Sequence, residues 1–254
     1  MKKSSIQYCS DLHLEFPENA AFIKRNPIKR EAEILVLSGD IVPFKWKDKF
    51  DDFFNFVSDN FEKTYWIPGN HEYYHFDLFD KSGKLHESIK SNVFLVNNTS
   101  VIHDEKKLIF STLWSKIREA NKWVIEKTMN DFQLIHYKGF RFSAEQYNQL
   151  YDESIAFIQD EVKAAHSEKV LVFTHHCPTL MNYPPQYKGN NLNDAFATEH
   201  FEFIETSNIH AWVYGHTHCN TPEFQIGNTR MLSNQLGYIE YDEQFGFRTN
   251  ALIY

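Results

Sequence analysis

Residues 33–40 read EILVLSGD. Ile34 to Leu37 is a continuous apolar run of the kind that forms a strand buried on both faces, and Ser38-Gly39-Asp40 marks its exit into a loop. The same form recurs at Ile6 to Cys9 before Ser10-Asp11, at Thr64 to Ile67 before Pro68-Gly69-Asn70-His71, at Val170 to Phe173 before Thr174-His175, and at His210 to Tyr214 before Gly215-His216. These predicted strands all deliver polar residues from their carboxyl ends. Between them lie helix-like stretches. Trp46 to Phe61 carries Phe50, Phe53, Phe54 and Val57 at the spacing of one apolar helix face. Ser143, with Gln146 in capping-box position, opens a second helix that runs to about Ala165. Strands alternating with helices predict the α/β class.

Two stretches break the alternation. Val93 to Ser111 reads as strand, Asn-Asn turn, strand, polar turn, strand, and predicts an antiparallel meander. Trp114 to Arg141 is polar and aromatic with weak periodicity, which suits an insertion that shapes a cleft at the sheet edge. With no internal repeat and no Gly/Ser linker, residues 1–254 are expected to form a single domain with that insertion at about 114–141.

Composition narrows the function. Apolar residues make up 42% and charged residues 24%, close to globular averages. No apolar run approaches the roughly 20 residues that span a bilayer, and Asp11 and His13 stand where a signal peptide needs its apolar core. A cytoplasmic protein with no membrane contact is the expectation, and the odd cysteine count (Cys9, Cys177, Cys219) fits free thiols in a reducing compartment. The net charge of −8 opposes long nucleic acid, whose binding rests on phosphate neutralisation.

Taken singly, the strand-exit motifs are weak: Asp11-x-His13 and Gly39-Asp40 are ordinary turns, Asn70-His71 a turn with a solvated imidazole, His175-His176 core histidines, and His216-x-His218 a polar loop. Together they set Asp, His, Asp, Asn, His, His and His at the same ends of separate strands, where α/β sheets build sites. A mixed oxygen and imidazole set suits Mn²⁺, Fe²⁺/Fe³⁺ or Zn²⁺ better than Ca²⁺, and seven ligands exceed what one such ion takes. Two divalent ions sharing a carboxylate satisfy the count.

In this order DLH, GD, GNHE, THH and GHTH resemble the calcineurin-like metallophosphoesterase superfamily, over Asp11 to His218. STLWS at Ser111 to Ser115 and THHCPT at Thr174 to Thr179 are similar to a bacterial subgroup of soluble phosphoesterases. The resemblance implies a four-layer α/β/β/α sandwich of two mixed sheets flanked by helices. It implies a first metal on Asp11, His13, Asp40 and His218, a second on Asp40, Asn70, His175 and His216, and Asp40 as the catalytic bridge. His71 would be the general acid. The expected reaction is hydrolysis of a phosphate mono- or diester by attack of a metal-bridging hydroxide. Glu72 stands where many members have Asp, a change expected to be tolerated.

Asn70, His71 and His176 are candidate substrate contacts, although His176 is as well explained as a residue that orients a neighbour. Tyr73, Tyr74, Tyr183 and Tyr187 are candidates for stacking on a nucleoside or for the core, and Met181 to Tyr187 for a cleft wall. The cysteines are better read as small space-filling groups than as thiolate ligands. The acidic surface and the aromatic loops point to a small phosphorylated, nucleotide-derived substrate. The rival readings are a non-catalytic metal-binding scaffold for partner proteins, a nuclease and a protein Ser/Thr phosphatase. Lys116, Arg118, Lys122 and Lys127 are offset by Glu119, Glu126 and Asp131, which weakens the nuclease reading, and Tyr73-Tyr74 after GNHE weakens the phosphatase reading.

Overall fold

A computed structural model of the chain describes residues 5–254. Its strands are β1 (Ile6–Cys9), β2 (Ile34–Ser38), β3 (Lys63–Ile67), β4 (Leu85–Lys90), β5 (Val93–Asn97), β6 (Thr99–His103), β7 (Lys106–Ser111), β8 (His136–Tyr137), β9 (Phe140–Arg141), β10 (Lys169–Thr174), β11 (Ile209–Tyr214), β12 (Phe224–Ile226), β13 (Thr229–Ser233) and β14 (Leu252–Ile253). The helices are α1 (Pro17–Arg25), α2 (Asp51–Asn60), α3 (Lys122–Thr128), α4 (Asp131–Leu134), α5 (Ala144–Lys163) and α6 (Phe201–Thr206).

The strands build two six-stranded mixed sheets, ordered β14-β1-β2-β3-β5-β4 and β12-β13-β11-β10-β7-β6. In each the four inner strands are parallel and the two edge strands antiparallel. Because strand side chains alternate, each inner strand needs apolar cover on both faces. Ile34, Val36, Tyr65 and Ile67 meet Leu108, Phe110, Leu171, Phe173, Ala211 and Val213 between the sheets. Leu35, Leu37 and Trp66 point outward against Ile23 of α1 and Phe54 and Val57 of α2. On the other side Ile109, Val170, Val172 and Trp212 pack on Ile158 and Val162 of α5 and Ile204 of α6. The layers are therefore helix, sheet, sheet, helix, as the resemblance implied.

Two local expectations need correction. The stretch Trp46 to Phe61 is not one helix, because Phe44–Phe50 winds as a 3₁₀ turn before α2 begins at Asp51. Val93 to Ser111 does contain its expected strands, but it is no meander. β5 pairs with β3 and β4, while β6 pairs with β7 in the other sheet. Asn97-Asn98 reverses nothing within a sheet and instead carries the chain across the sandwich. Asn98 adopts φ 43° there, and the crossing is pinned by Thr112 N–H donating to Asn97 Oδ1 (2.7 Å) and Ser111 Oγ donating to Asn98 Oδ1 (2.7 Å). A turn dipeptide announces a change of direction; which sheet receives the next strand depends on where its apolar faces find cover.

Residues 114–141 send several side chains into the core. Trp114, Ile117, Ile125, Phe132 and Ile135 are buried, Phe132 stacks on Phe142 at 5.7 Å, and β8 and β9 form a small hairpin. The helix expected from Ser143 is α5, with both hydrogen bonds of its capping box formed. Among the described residues no helix is long and apolar enough to cross a membrane.

Phe110 sits fully buried between the sheets, stacked on Tyr65 at 4.8 Å and 5.8 Å from Phe173. Phe110→Ala is expected to cost about 3–5 kcal/mol, read as a lower denaturant midpoint at unchanged m-value.

Candidate metal centre

Every strand-exit motif arrives at one place. Asp11 and His13 follow β1, Asp40 follows β2, Asn70 and His71 follow β3, His175 follows β10, and His216 and His218 follow β11. Asp11, His13, Asp40 and His218 bring one ligand atom each to within 4.8 Å of one another, and so do Asp40, His175 and His216. Asn70 joins the second group, its Oδ1 lying 3.1 Å from His175 Nε2. The facing nitrogens are close, with His13 Nε2 and His218 Nε2 3.0 Å apart and His175 Nε2 and His216 Nδ1 likewise 3.0 Å apart. Asp11 Oδ2 is buried without a hydrogen-bond partner. Lone pairs converging in two groups around one shared carboxylate, with a buried oxygen left over, are what a pair of cations would satisfy.

The backbone is bent to achieve this. Asp11, His13, Asp40, His216 and His218 all have φ between 46° and 71°. Non-glycine residues in that region cost of order 1 kcal/mol or more each. Hydrogen bonds from one loop to the next hold the strain: Asp11 N–H donates to Gly39 O (2.9 Å), His13 N–H to Asp40 O (2.9 Å), His216 N–H to Asp11 Oδ1 (2.9 Å) and His71 N–H to Asp40 Oδ1 (2.9 Å). Two glycines permit the close approach. A side chain at Gly39, which has φ 91°, would overlap the His175 ring, and one at Gly69 would overlap the Asp40 carboxylate.

A surrounding set of polar groups orients these residues. Glu72 is fully buried and accepts from the N–H groups of Asp40 (2.9 Å), Ile41 (2.7 Å) and Gly69 (2.7 Å) and from Trp66 Nε1 (2.9 Å), tying the loops after β2 and β3 together. His218 Nδ1 meets Glu243 Oε2 at 2.7 Å, and His218 N–H donates to Gln235 Oε1 at 2.7 Å. His71 Nδ1 lies 3.1 Å from Glu15 Oε1 and its Nε2 lies 3.2 Å from Tyr238 Oη. Asn70 Nδ2 donates to Asp131 Oδ1 at 2.8 Å. Glu15, Gln235, Tyr238 and Glu243 went unread in the sequence, and Asp131, read there only as an acid offsetting nearby lysines, is fully buried rather than on a solvated face. Glu15 alone had a usable signal, since it continues the alternation Asp11-x-His13-x-Glu15.

The buried acids and imidazoles of the centre shift one another strongly. Burial alone would raise both aspartates, yet the imidazoles of His175, His71 and His13 hold Asp40 well below the usual carboxylate range, and His218 and His175 hold Asp11 down. Burial likewise opposes ionisation of Glu15, but its bonds to His13 and His71 bring it to about 2. The reverse side of these pairs is His175, which burial would lower but Asp40 pushes up to about 9. His176 and His216 are lowered, first by burial and then by neighbouring imidazoles. Burial and the Asp40 charge push the Glu72 carboxyl up, to about 8, while N–H donors on both of its oxygens match an ionised acceptor.

The centre opens on a cleft of about 350 Å³ lined by Tyr74, Met129, Asn130, Tyr183, Tyr187, Asn190 and Tyr238 among others. The end of the Met181 to Tyr187 loop is thus a wall, as expected. Tyr73 belongs to the core. His176 is fully buried, with Nδ1 on Thr112 O (3.2 Å) and Nε2 on Tyr147 Oη (3.0 Å), and its ring packs 4.2 Å from that of His216. Both of its ring nitrogens are occupied inside the protein. Cys9 and Cys177 are buried, and burial pushes both thiols up, Cys177 to about 12, so neither is disposed to act as a thiolate.

Glu72→Ala strands buried N–H donors at about 1–3 kcal/mol apiece. It should lower stability by at least about 3 kcal/mol and weaken metal retention, whereas Glu72→Gln should lose less of both; thermal unfolding and metal content after dialysis measure the two effects.

Residues 5–220 match the calcineurin-like phosphoesterase family. The chain is 32% identical over 261 residues to Uncharacterized protein L509 of Acanthamoeba polyphaga mimivirus, covering 92% of this chain and 91% of that one. The crystal structure of Phosphopantetheinyl Hydrolase (PptH) from Mycobacterium tuberculosis superposes with a TM-score of 0.74 at 14% identity, over 99% of this chain and 96% of that one, a likeness of fold. Motifs, layers and family match agree: the chain belongs to the calcineurin-like phosphoesterase family and is a metal-dependent phosphoester hydrolase.

Proposed function

We propose that this chain, acting as one domain, hydrolyses a phosphate mono- or diester of a small, nucleotide-derived molecule at a centre of two divalent cations. The observation that carries the reading is the position of Asp40, whose carboxylate is shared by the Asp11, His13, His218 group and the His175, His216 group of converging donors. Asp11, His13, Asp40 and His218 would hold one cation, and Asp40, Asn70, His175 and His216 the other. Imidazole and oxygen donors favour Mn²⁺, iron or Zn²⁺. Cations bound there neutralise phosphoryl charge and acidify water.

The remaining work falls to side chains. Glu15 accepts from His71 Nδ1, which fixes the ring and directs Nε2 toward the cleft and Tyr238. Burial would lower His71, but Asp40 and Glu15 raise it, which supports a protonated ring able to hand its proton to a leaving alkoxide. Asn70 and His71 both line the cleft beside the donors.

Among the described residues that line this cleft there is no Lys or Arg; aromatic rings and the amides of Asn130, Asn190 and Asn193 dominate. Such walls support a compact substrate with a base or amide to stack and bond, and they disfavour a long polyanion. Lys116 and Arg118 line an adjoining groove, but they are paired with Asp152 (2.6 Å) and Asp194 (2.9 Å), which disfavours the nuclease reading. Retention of every ligand position disfavours the scaffold. Free cysteines, two of them buried, support a reducing, cytoplasmic setting.

Protein stripped of metal and reloaded with Mn²⁺, Fe²⁺ or Zn²⁺ should hydrolyse para-nitrophenyl phosphate or its bis ester, and Asp40→Ala should abolish turnover. His71→Ala should lower kcat about 10²–10⁴-fold on alkyl esters and much less on para-nitrophenyl esters, whose leaving group departs without a proton. Inactivity towards all of these in protein that retains two ions per chain would favour the scaffold.

A further inference from the structure

Asn70 presents a problem that the aspartates and histidines do not. Only one end of a carboxamide can face a cation usefully, and the side chain can rotate to present either. In this structure the choice is made by a residue from a distant part of the chain. Asp131 opens α4, inside the segment 114–141, and is fully buried. Its Oδ1 accepts from Asn70 Nδ2 at 2.8 Å and from Tyr74 Oη at 2.9 Å, while its Oδ2 is buried with no hydrogen-bond partner. The side-chain hydrogen bonds of Asp131 are therefore aimed at Asn70 and at Tyr74.

We infer that Asp131 is a positioning residue for the metal centre: by accepting from the Asn70 amide nitrogen it turns the amide oxygen toward His175 and the second cation. The inference rests on the two-cation reading given above. Rotating the amide would set Asn70 Oδ1 against Asp131 Oδ1, acceptor against acceptor, and leave an N–H facing His175, so docked Asp131 permits one orientation.

The placement links two parts of the site. Thr128, Met129 and Asn130, which immediately precede Asp131, line the cleft. The stretch that lines the cleft is thus continuous in the chain with Asp131. Phe132 stacks on Phe142 at 5.7 Å, and Leu134 O accepts from His75 N–H at 2.9 Å, so α4 is anchored by the residues that follow Asp131. Metal binding at the Asn70 position should therefore stabilise this segment, and loosening the segment should weaken that metal, since such coupling is reciprocal.

The test is titration of metal-free protein with Co²⁺, followed by its visible absorption, with circular dichroism and thermal unfolding as controls on the fold. Wild type should take up two Co²⁺ per chain. Asp131→Leu should weaken one of them about 10–100-fold and leave the other. Asp131→Asn, whose oxygen still accepts from Asn70, should recover most of the loss. Asn70→Ala should weaken the same ion, and adding Asp131→Leu to it should have no further effect, because the one residue acts through the other. Hydrogen exchange of residues 128–134 should slow on loading wild type with Co²⁺. A folded Asp131→Leu that binds both ions as tightly as wild type would overturn the inference. So would additive losses in the double variant, or exchange at 128–134 that is indifferent to metal. Wild type that binds fewer than two Co²⁺ would instead refute the two-cation reading beneath it.

Discussion

The structure depends on keeping ionised carboxylates inside the protein. Asp11 and Asp40 are essentially without solvent contact, and an isolated charge in such a place is prohibitively unfavourable. What makes it tenable is the ring of groups that the strand ends bring around them: backbone N–H groups from neighbouring loops and imidazoles from both sheets. Most of the rest follows from this. The strands must end at the same level, the loops after β1, β2, β3, β10 and β11 must interlock, and several of their residues must accept unfavourable φ angles.

Glu72 shows how far the requirement reaches. It touches no candidate metal position with its side chain except through the Asp40 backbone, yet it gathers N–H groups from the loops after β2 and β3 and from the Trp66 indole into a single acceptor. Trp66 in turn packs against Phe54 of α2 at 5.0 Å. A line of contact thus runs from the outer helix, through the sheet, to the shared carboxylate, so the geometry of the centre rests on the packing of the fold.

The segment 114–141 has the opposite character. It brings no residue of the five motifs, and its own secondary structure is short. Its contribution is to the margins of the centre: Met129 and Asn130 at the cleft, and Asp131 beneath Asn70. A calcineurin-like phosphoesterase chain could vary such a segment to change what the cleft admits, because the strained loops that carry the metal positions do not pass through it.

Sequence alone determined the class of fold and the candidate ligands. Apolar runs ending in glycine and polar residues are local signals, and a strand that must be buried on both faces writes itself as such a run. Asp11, His13, Asp40, Asn70, His175, His216 and His218 were legible because each sits directly at a strand exit, where chemistry and local structure coincide. Tertiary structure decided what depends on distance. It placed β6 in the second sheet although Asn97-Asn98 reads as a hairpin turn, because β5 and β6 find their apolar cover on different layers. It turned His176 inward onto Thr112 and Tyr147 while its neighbour His175 faces the centre. It brought Asp131, Gln235, Tyr238 and Glu243 to the site, residues whose own neighbourhoods in the chain announce no such role. An orienting carboxylate needs only to accept a hydrogen bond from the correct side, so any acidic residue the fold delivers will serve, and no spacing rule marks it in advance.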